Sequence, residues 1–157
     1  MAKCNIPNIV IEGARIVQKN FSGEATKYNR KGDRNFLLIL DDPDVAMELK
    51  ADGWNVKQFK PREDDTEEPA YFILVAVRFD PVPPNIYMVT SRAKRLLTEE
   101  TVDALDYADI ANIDLTITPY RWTMDDKDGV KTGIKAYVKT MYVVINEDEF
   151  ASKYERD

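Results

Sequence analysis

The sequence predicts a single, mostly-β domain with two short helices. Its length of 157 residues is that of one ordinary domain. An apolar run at residues 71–79 has the length and composition of a buried strand, and two long alternating segments follow it near the carboxyl end. The composition, 44% hydrophobic and 32% charged, suits a globular core, and a chain of this length can bury about 70% of its unfolded surface without a disulfide or a metal.

Apolar runs and turn residues divide the chain into elements. Gly13 marks a bulge or a close backbone approach in the first strand, and acidic residues with Pro43 open the first helix. Thr98, followed by acids, opens the second helix. Two loops are predicted, one without periodicity at 21–34 and one acidic at 61–69. The strands fall at residues 8–17, 35–40, 54–60, 71–79, 86–90, 113–124 and 130–145, and the helices at 45–51 and 98–107.

Two absences exclude most catalytic chemistry. The chain has no histidine, which removes Ser-His-Asp and Cys-His catalysis and histidine-metal centres. Its one cysteine, Cys4, can form neither a disulfide framework nor a zinc cluster. The Asp125–Asp128 turn lacks the spacing of a calcium loop, and no Gly-rich phosphate loop is present. We expect no enzyme, no cofactor and no metal.

The charge balance leaves a polyanion as a possible ligand. The net charge is −6, but residues 1–40 carry seven basic and three acidic side chains, whereas residues 41–70 carry four and ten. The local field at a site decides what binds there, so net charge does not exclude nucleic acid. No apolar run approaches the roughly 20 residues of a membrane span, and no secretion signal opens the chain. A cytoplasmic location without a membrane partner is expected.

The two carboxyl-terminal strands carry the most specific prediction. Side chains alternate across a strand, and the two apolar patterns agree only in the register that pairs Ile117 with Val138 and Ile113 with Tyr142. That register places Trp122 over Gly133 on the opposite face. The same face would carry Tyr120, Lys135, Tyr137 and Lys139.

Rings and ammonium groups on one sheet face suit single-stranded nucleic acid, because unstacked bases lie on aromatic faces and lysines follow the phosphates. The alternative is that Pro119 or a bulge rotates the strand. Tyr120 and Trp122 would then turn inward and belong to the core.

Further basic segments extend this hypothesis. Trp54 and Lys57 follow a tight turn and could enlarge the patch, unless Trp54 packs beneath the short helix. Arg92, Lys94 and Arg95 form another cluster with the same ambiguity. The loop before the second strand is either a phosphate clamp or a solvated polar loop. Its candidate residues are Lys27, Tyr28, Arg30, Lys31 and Arg34, with Gly32 allowing close backbone approach.

Four segments together carry a family resemblance. They are Gly32-Asp-Arg-Asn-Phe36, Asp52-Gly-Trp-Asn-Val56, Arg78-Phe79 and Ile117-Thr-Pro-Tyr-Arg-Trp122. In this order, over residues 8–145, the chain resembles phage-encoded single-stranded DNA-binding proteins of OB-fold type. The resemblance implies a five-stranded Greek-key barrel with insertions, binding DNA without reading its sequence.

The resemblance also implies how the chain is organised. One OB-like domain would span residues 1–145, followed by a short acidic tail at 146–157. In single-strand binders such a tail often recruits replication or recombination proteins. Here Lys153 and Arg156 interrupt the acids, which puts that role in doubt.

Two functions from different classes follow. The first is a sequence-tolerant single-stranded DNA-binding protein of phage replication or recombination. The second is a non-enzymatic interaction module or virion component, which the acidic 62–68 loop and the net charge of −6 favour.

Overall fold

A computed structural model of the chain describes residues 2–3, 6–27, 30–59, 70–80 and 82–146. The described residues form a mixed β-sheet with one α-helix and one 3-10 helix, so the predicted mostly-β class is confirmed. The strands are β1 (Ala2–Lys3), β2 (Ile9–Ile11), β3 (Ile16–Asn20), β4 (Arg34–Leu40), β5 (Val56–Gln58), β6 (Tyr71–Val77), β7 (Asn85–Val89), β8 (Lys94–Leu97), β9 (Ile110–Asp126) and β10 (Gly129–Ile145). The helices are α1 (Pro43–Ala51) and the 3-10 helix (Val102–Asp106).

The sheet is built around the long β9–β10 hairpin. Its main path runs β1-β9-β10-β6-β4-β3, with β2 added to β9, β5 to β6, and β7 bridging β10 and β8. β10 runs parallel to both β6 and β7, and the other pairs are antiparallel. Within the described residues this path has two ends and does not close. The predicted closed barrel of five strands is therefore not what these pairings form, because each 17-residue hairpin strand takes several short partners along its length.

The core lies under the inner face of this sheet. Alternate residues of β4, β6, β9 and β10 point inward, as the period of two requires. Burying a side chain of this size contributes about 1.5–3 kcal/mol, so the core is the main source of stability. Its most deeply buried members include Phe21, Phe36, Leu38, Ile73, Val75, Ile86, Leu115, Ile117 and Met141.

The first predicted strand is divided in two. Gly13 has a φ of +64°, a conformation that side chains with a Cβ rarely adopt, and its amide donates to Asp114 Oδ1 at 3.1 Å. The chain bends there, so that β2 pairs with β9 while β3 pairs with β4. The predicted bulge is thus a break between two strands.

The first helix forms as predicted, and the second is shorter than predicted. Asp42 caps α1 by accepting a hydrogen bond from the Asp44 amide at 2.9 Å, and Pro43 occupies the first turn. The second element is a 3-10 helix that begins at Val102, whereas the predicted helix began at Thr98. The Thr101 hydroxyl accepts from the Thr98 amide at 2.7 Å, which holds the residues before it in a turn.

The hairpin register is confirmed over half its length and corrected in the other half. Val138 pairs with Ile117 and Gly133 pairs with Trp122, as predicted. A register shift at Lys139 then pairs Ile113 with Val143, so the predicted pairing of Ile113 with Tyr142 is wrong. The extra residue at this bulge reverses the alternation, which turns Val143 into the core and Tyr142 outward.

Candidate nucleic-acid interface

Trp122 lies on the outer face of the hairpin, against the backbone of Gly133. The ring is so close that a Cβ built at residue 133 would lie 2.7 Å from Nε1. Trp122 retains 37% exposure. The alternative in which Pro119 turns this segment inward does not occur: Pro119 itself is buried, opposite Ala136, and its neighbour Tyr120 is exposed.

Tyr120, Lys135 and Tyr137 form a cluster beside Trp122. The rings of Tyr120 and Tyr137 meet edge to face with centroids 5.2 Å apart, and Lys135 Nζ lies 5.4 Å from the Tyr137 centroid. Tyr120 is 37% exposed but Tyr137 only 8%. Tyr137 therefore has the predicted face but not the predicted accessibility, because neighbouring groups cover its ring. We call Tyr120, Trp122, Lys135 and Tyr137 the ring surface.

A cleft of about 570 Å³ adjoins the ring surface. Lys135 and Tyr137 line one side, and Gly32 and Arg34 of the predicted basic loop line another. The floor comes from β6, where Ala76 pairs with both Tyr137 and Asn35. Two segments separated by about a hundred residues thus meet at one site, which we call the central cleft.

The loop that brings Arg34 to the cleft is held at both ends. The Asp106 carboxylate accepts from the amides of Phe21 and Ser22 at 2.8 and 2.9 Å. Further along, the Gly32 amide donates to the Gly23 carbonyl at 2.7 Å. The first residues of the loop are thus tied to the 3-10 helix, whereas its basic side chains Lys27, Arg30 and Lys31 are exposed to solvent.

Arg34 is an anchored side chain. Its Nε donates to the Phe21 carbonyl at 3.0 Å, and one terminal nitrogen lies 3.5 Å from Glu99 Oε1. Its guanidinium also lies 5.5 Å from the Phe79 ring centroid. Only 18% of its side chain is exposed. Arg34 therefore both holds the loop in position and adds positive charge to the central cleft.

The charges of the central cleft balance. Glu99 faces Arg34, and Arg78 Nε donates to the Asp80 carbonyl at 2.7 Å. A polyanion in this cleft would meet little net attraction, so rings and surrounding exposed cations must supply more of the binding. The cations that line it are Arg34, Arg78 and Lys135, and the carboxylates are Asp33, Asp80 and Glu99.

The other predicted site residues divide into three groups. Lys27, Arg30, Lys31 and Lys139 are exposed, with Lys139 in the β10 bulge. Lys57 is exposed on β5 and lines a second cleft of about 640 Å³ that shares Asn35 and Leu74 with the central cleft. Tyr28 lies outside the described residues.

Trp54 requires a correction. It is 3% exposed and packs in the hydrophobic core, bridged to Ile134 of β10. Its indole is buried in the core and is not available to a ligand, so the prediction that Trp54 extends the binding patch is wrong. The alternative that this ring is buried is the correct one.

Sequence reasoning missed Phe79 and the β6 side chains of the cleft floor. Arg78 and Phe79 directly follow a strongly apolar strand. A cation next to an aromatic ring at the end of a strand could have indicated that both residues line a binding cleft, as they do. Leu74 carried a weaker signal, since it looks like core in sequence but is 42% exposed.

The described residues contain no group of three or more His, Cys, Asp or Glu side chains arranged to hold a metal ion. In the same part of the chain, no helix has the length and apolarity needed to cross a membrane.

Exposed rings, cations and a cleft on one face of a sheet are features of a nucleic-acid-binding β domain. Residues 1–156 match the model of the family described as "Putative phage ssDNA-binding domain". The chain belongs to this family. No curated protein matches it.

The fold is also similar to solved phage proteins. A C-terminal truncation of the single-stranded DNA-binding protein from bacteriophage Enc34 has a TM-score of 0.50 at 12% identity, with 90% of this chain and 87% of that chain covered. The longer Enc34 protein gives 0.48 at 13% identity, with 96% and 87% covered. The single-stranded DNA-binding protein gp2.5 of bacteriophage T7 gives 0.41 at 11% identity, with 96% of each chain covered. At such low identities the similarity concerns the fold alone. It rests on the truncated Enc34 protein, whose TM-score is 0.50.

Family membership confirms the resemblance predicted from the residues. Single-stranded DNA binding, the first of the two predicted functions, is confirmed with it. The family description names a binding activity and no reaction.

Proposed function

We propose that this chain binds single-stranded DNA without reading its sequence, through base stacking on Tyr120 and Trp122. The exposure of both rings beside Lys135, next to the central cleft, is the observation that carries the proposal. The protein acts without catalysis, in phage replication or recombination, within the host cytoplasm.

Stacking on Trp122 is efficient because the ring is already held in place. Packing against Gly133 limits its rotamers before any ligand arrives, so a base that stacks on it meets a smaller entropic cost. Base-aromatic stacking is worth about 1–3 kcal/mol per base. Two exposed rings therefore account for a large share of the affinity.

Tolerance of sequence follows from the kind of contact. Every base has a π-face, whereas base-edge recognition needs donors and acceptors in a matching pattern. Lys135 and the exposed cations of the loop, Arg30 and Lys31, are suited to phosphate oxygens. Affinity should accordingly fall with rising salt, as counterion release predicts.

The proposal includes a role for the rest of the chain. Residues 1–145 form an OB-like binding domain elaborated by insertions, and the acidic tail at 146–157 contacts replication or recombination proteins. A chain ending at residue 145 should then keep its fold and its oligonucleotide affinity while losing those protein contacts. Loss of oligonucleotide binding in the shortened chain would contradict this division.

The test compares binding of a labelled single strand of about 30 nucleotides, long enough to fill an OB-type site. Tyr120→Ala combined with Trp122→Ala should weaken binding at least about tenfold, because two stacking contacts are lost. Met47→Ala, which removes a 44% exposed apolar side chain from α1, is the matched control and should change nothing. Circular dichroism checks that each variant is folded.

Two results would contradict the proposal. Unchanged affinity in the folded double variant would reject the ring surface as the binding site. No binding by the unmodified chain, together with self-assembly on a sizing column, would favour the interaction or virion module.

A further inference from the structure

A second pair of rings lies on the outer face, away from the central cleft. Tyr87 of β7 and Tyr142 of β10 are directly paired across the two parallel strands. Their ring centroids are 5.1 Å apart and their planes differ by only 11°. Lys94 Nζ of β8 lies 4.8 Å from the Tyr87 centroid and 5.8 Å from that of Tyr142.

The three distances show where the ammonium group lies. If Lys94 capped the end of a stack above Tyr87, its distance from Tyr142 would be near the sum of the other two distances. The observed 5.8 Å makes the three points an almost equilateral triangle, so the ammonium flanks both rings. Lys94 therefore lies beside both rings of the pair.

The pair is accessible from solvent. Tyr142 is 37% exposed, the same value as Tyr120 and Trp122, and Tyr87 is half-buried. Leu96, which pairs with Tyr87 on its other side, is 51% exposed. A pair serving the core would be covered, as Phe21 and Phe36 are.

We propose that Tyr87, Tyr142 and Lys94 form a second stacking site for the same DNA strand. This inference rests on the proposed function. The ring surface and this second site combine the same groups, a pair of tyrosines with a lysine ammonium within 6 Å of a ring.

The strand β10 connects the two sites. Tyr137 and Tyr142 are five residues apart, which is about 16 Å along a strand and within reach of a few nucleotides. Exposed Lys139 lies between them in the bulge, where a backbone phosphate would pass. The bulge is what places Tyr142 on the outer face with Tyr137.

The charges near the second site favour an anion. Lys94 and Arg95 are exposed neighbours on β8. The nearest acid by register is Asp114, which pairs with Tyr142, and its Oδ1 accepts from the Gly13 amide at 3.1 Å and from Asn112 Nδ2 at 3.3 Å. These donors partly offset the carboxylate charge.

The first test is the dependence of affinity on strand length. We compare oligothymidylates of about 6 and about 25 nucleotides, lengths chosen to fill one site or both. Tyr142→Thr combined with Lys94→Gln removes one ring and the charge, and the β-branched threonine it introduces suits a strand. The long strand should bind about fivefold more weakly or worse, and the short strand as before. Equal affinity for the long strand in the unmodified chain and this variant would overturn the inference.

The Trp122→Ala variant separates this inference from the proposed function. It should weaken binding of both lengths, since both need the ring surface. If Trp122→Ala weakens binding and the Tyr142 and Lys94 double variant does not, the second site alone is wrong. If the unmodified chain binds neither oligonucleotide, the proposed function itself fails.

The second test needs no variant and applies even if the double variant misfolds. The unmodified chain is irradiated with a strand of about 25 nucleotides that carries 5-iodouracil, and the crosslinked peptides are identified by mass spectrometry. Crosslinks at Tyr87 or Tyr142, in addition to those at the ring surface, are expected. Crosslinks confined to the ring surface would overturn the inference.

Discussion

Trp122 packs its indole against the backbone of Gly133 on the neighbouring strand, leaving no room for a side chain at residue 133. Gly133 is required for space, because its backbone is not among those with a positive φ. A glycine within a strand lacks a side chain to pack, and the indole supplies that packing from the partner strand. Fold and site thus depend on the same contact.

Gly133→Ala should displace the Trp122 ring. A Cβ would lie 2.7 Å from Nε1, so the indole must rotate away. We expect a shift in tryptophan emission and about fivefold weaker binding of a single strand, with the free energy of unfolding changed by less than about 1 kcal/mol. Thr132→Ala, at an exposed neighbouring position, is the control. A displaced emission spectrum with full affinity would show that the ring position is unimportant.

Arg34 and Arg30 should differ in what they contribute. Arg34→Ala removes a hydrogen bond to the Phe21 carbonyl, the contact with Glu99 and the contact with Phe79, and should cost about 1–2 kcal/mol in urea unfolding. Arg30→Ala, at an exposed position, should cost less than about 0.5 kcal/mol yet reduce the salt dependence of binding. Equal losses of stability would mean that Arg34 does not anchor the loop.

Removing an acid from the central cleft should strengthen binding. Glu99→Gln deletes a 56% exposed carboxylate that faces Arg34, so DNA phosphates meet less repulsion. Affinity measured by fluorescence anisotropy should rise about two- to threefold at low salt, and the gain should vanish at about 1 M salt, where charges are screened. Glu48→Gln on exposed α1 is the matched control. Weaker binding of Glu99→Gln would indicate that this carboxylate is needed to orient Arg34.

The bulge residue Lys139 should be dispensable for the core. Deleting Lys139 leaves Val138 and Met141 two residues apart, so a regular strand keeps Met141 and Val143, both fully buried, on the core face. The free energy of unfolding should fall by less than about 2 kcal/mol, because no core side chain is lost. Lys139→Ala keeps the residue count and should change stability by less than about 0.5 kcal/mol. A loss of about 3 kcal/mol or more in the deletion variant, as for loss of core side chains, would show that the bulge itself is needed for the fold.

Alternation explains which parts of the hairpin could be predicted. Trp122 and Gly133 were correctly paired because the apolar residues of the two strands agree in only one parity. The bulge was missed although a sign of it exists: Val138 and Met141 are both buried but three residues apart, which breaks the period of two. Tyr142 was therefore assigned to the wrong face, and the second pair of rings could not be found.

Long-range pairing accounts for the rest. The parallel pairing of β10 with β6 and β7 depends on the whole fold, and no local pattern in those segments indicates it. The meeting of Arg34 with Tyr137 in one cleft follows from that pairing. For Trp54, exposure and burial were both consistent with the sequence, and its place in the hydrophobic core, next to a backbone bridge to Ile134, decided between them.

The most direct test of the central claim uses the Trp122 ring itself as the probe. The chain has two tryptophans, so Trp54→Phe, a conservative change in the core, leaves Trp122 as the sole indole. Titration of this variant with an unlabelled oligothymidylate of about 25 nucleotides should quench its fluorescence saturably, because a base stacks on the ring, and added salt should reverse the quenching. Binding seen by anisotropy with no change in the Trp122 emission would contradict the claim that bases stack on this ring.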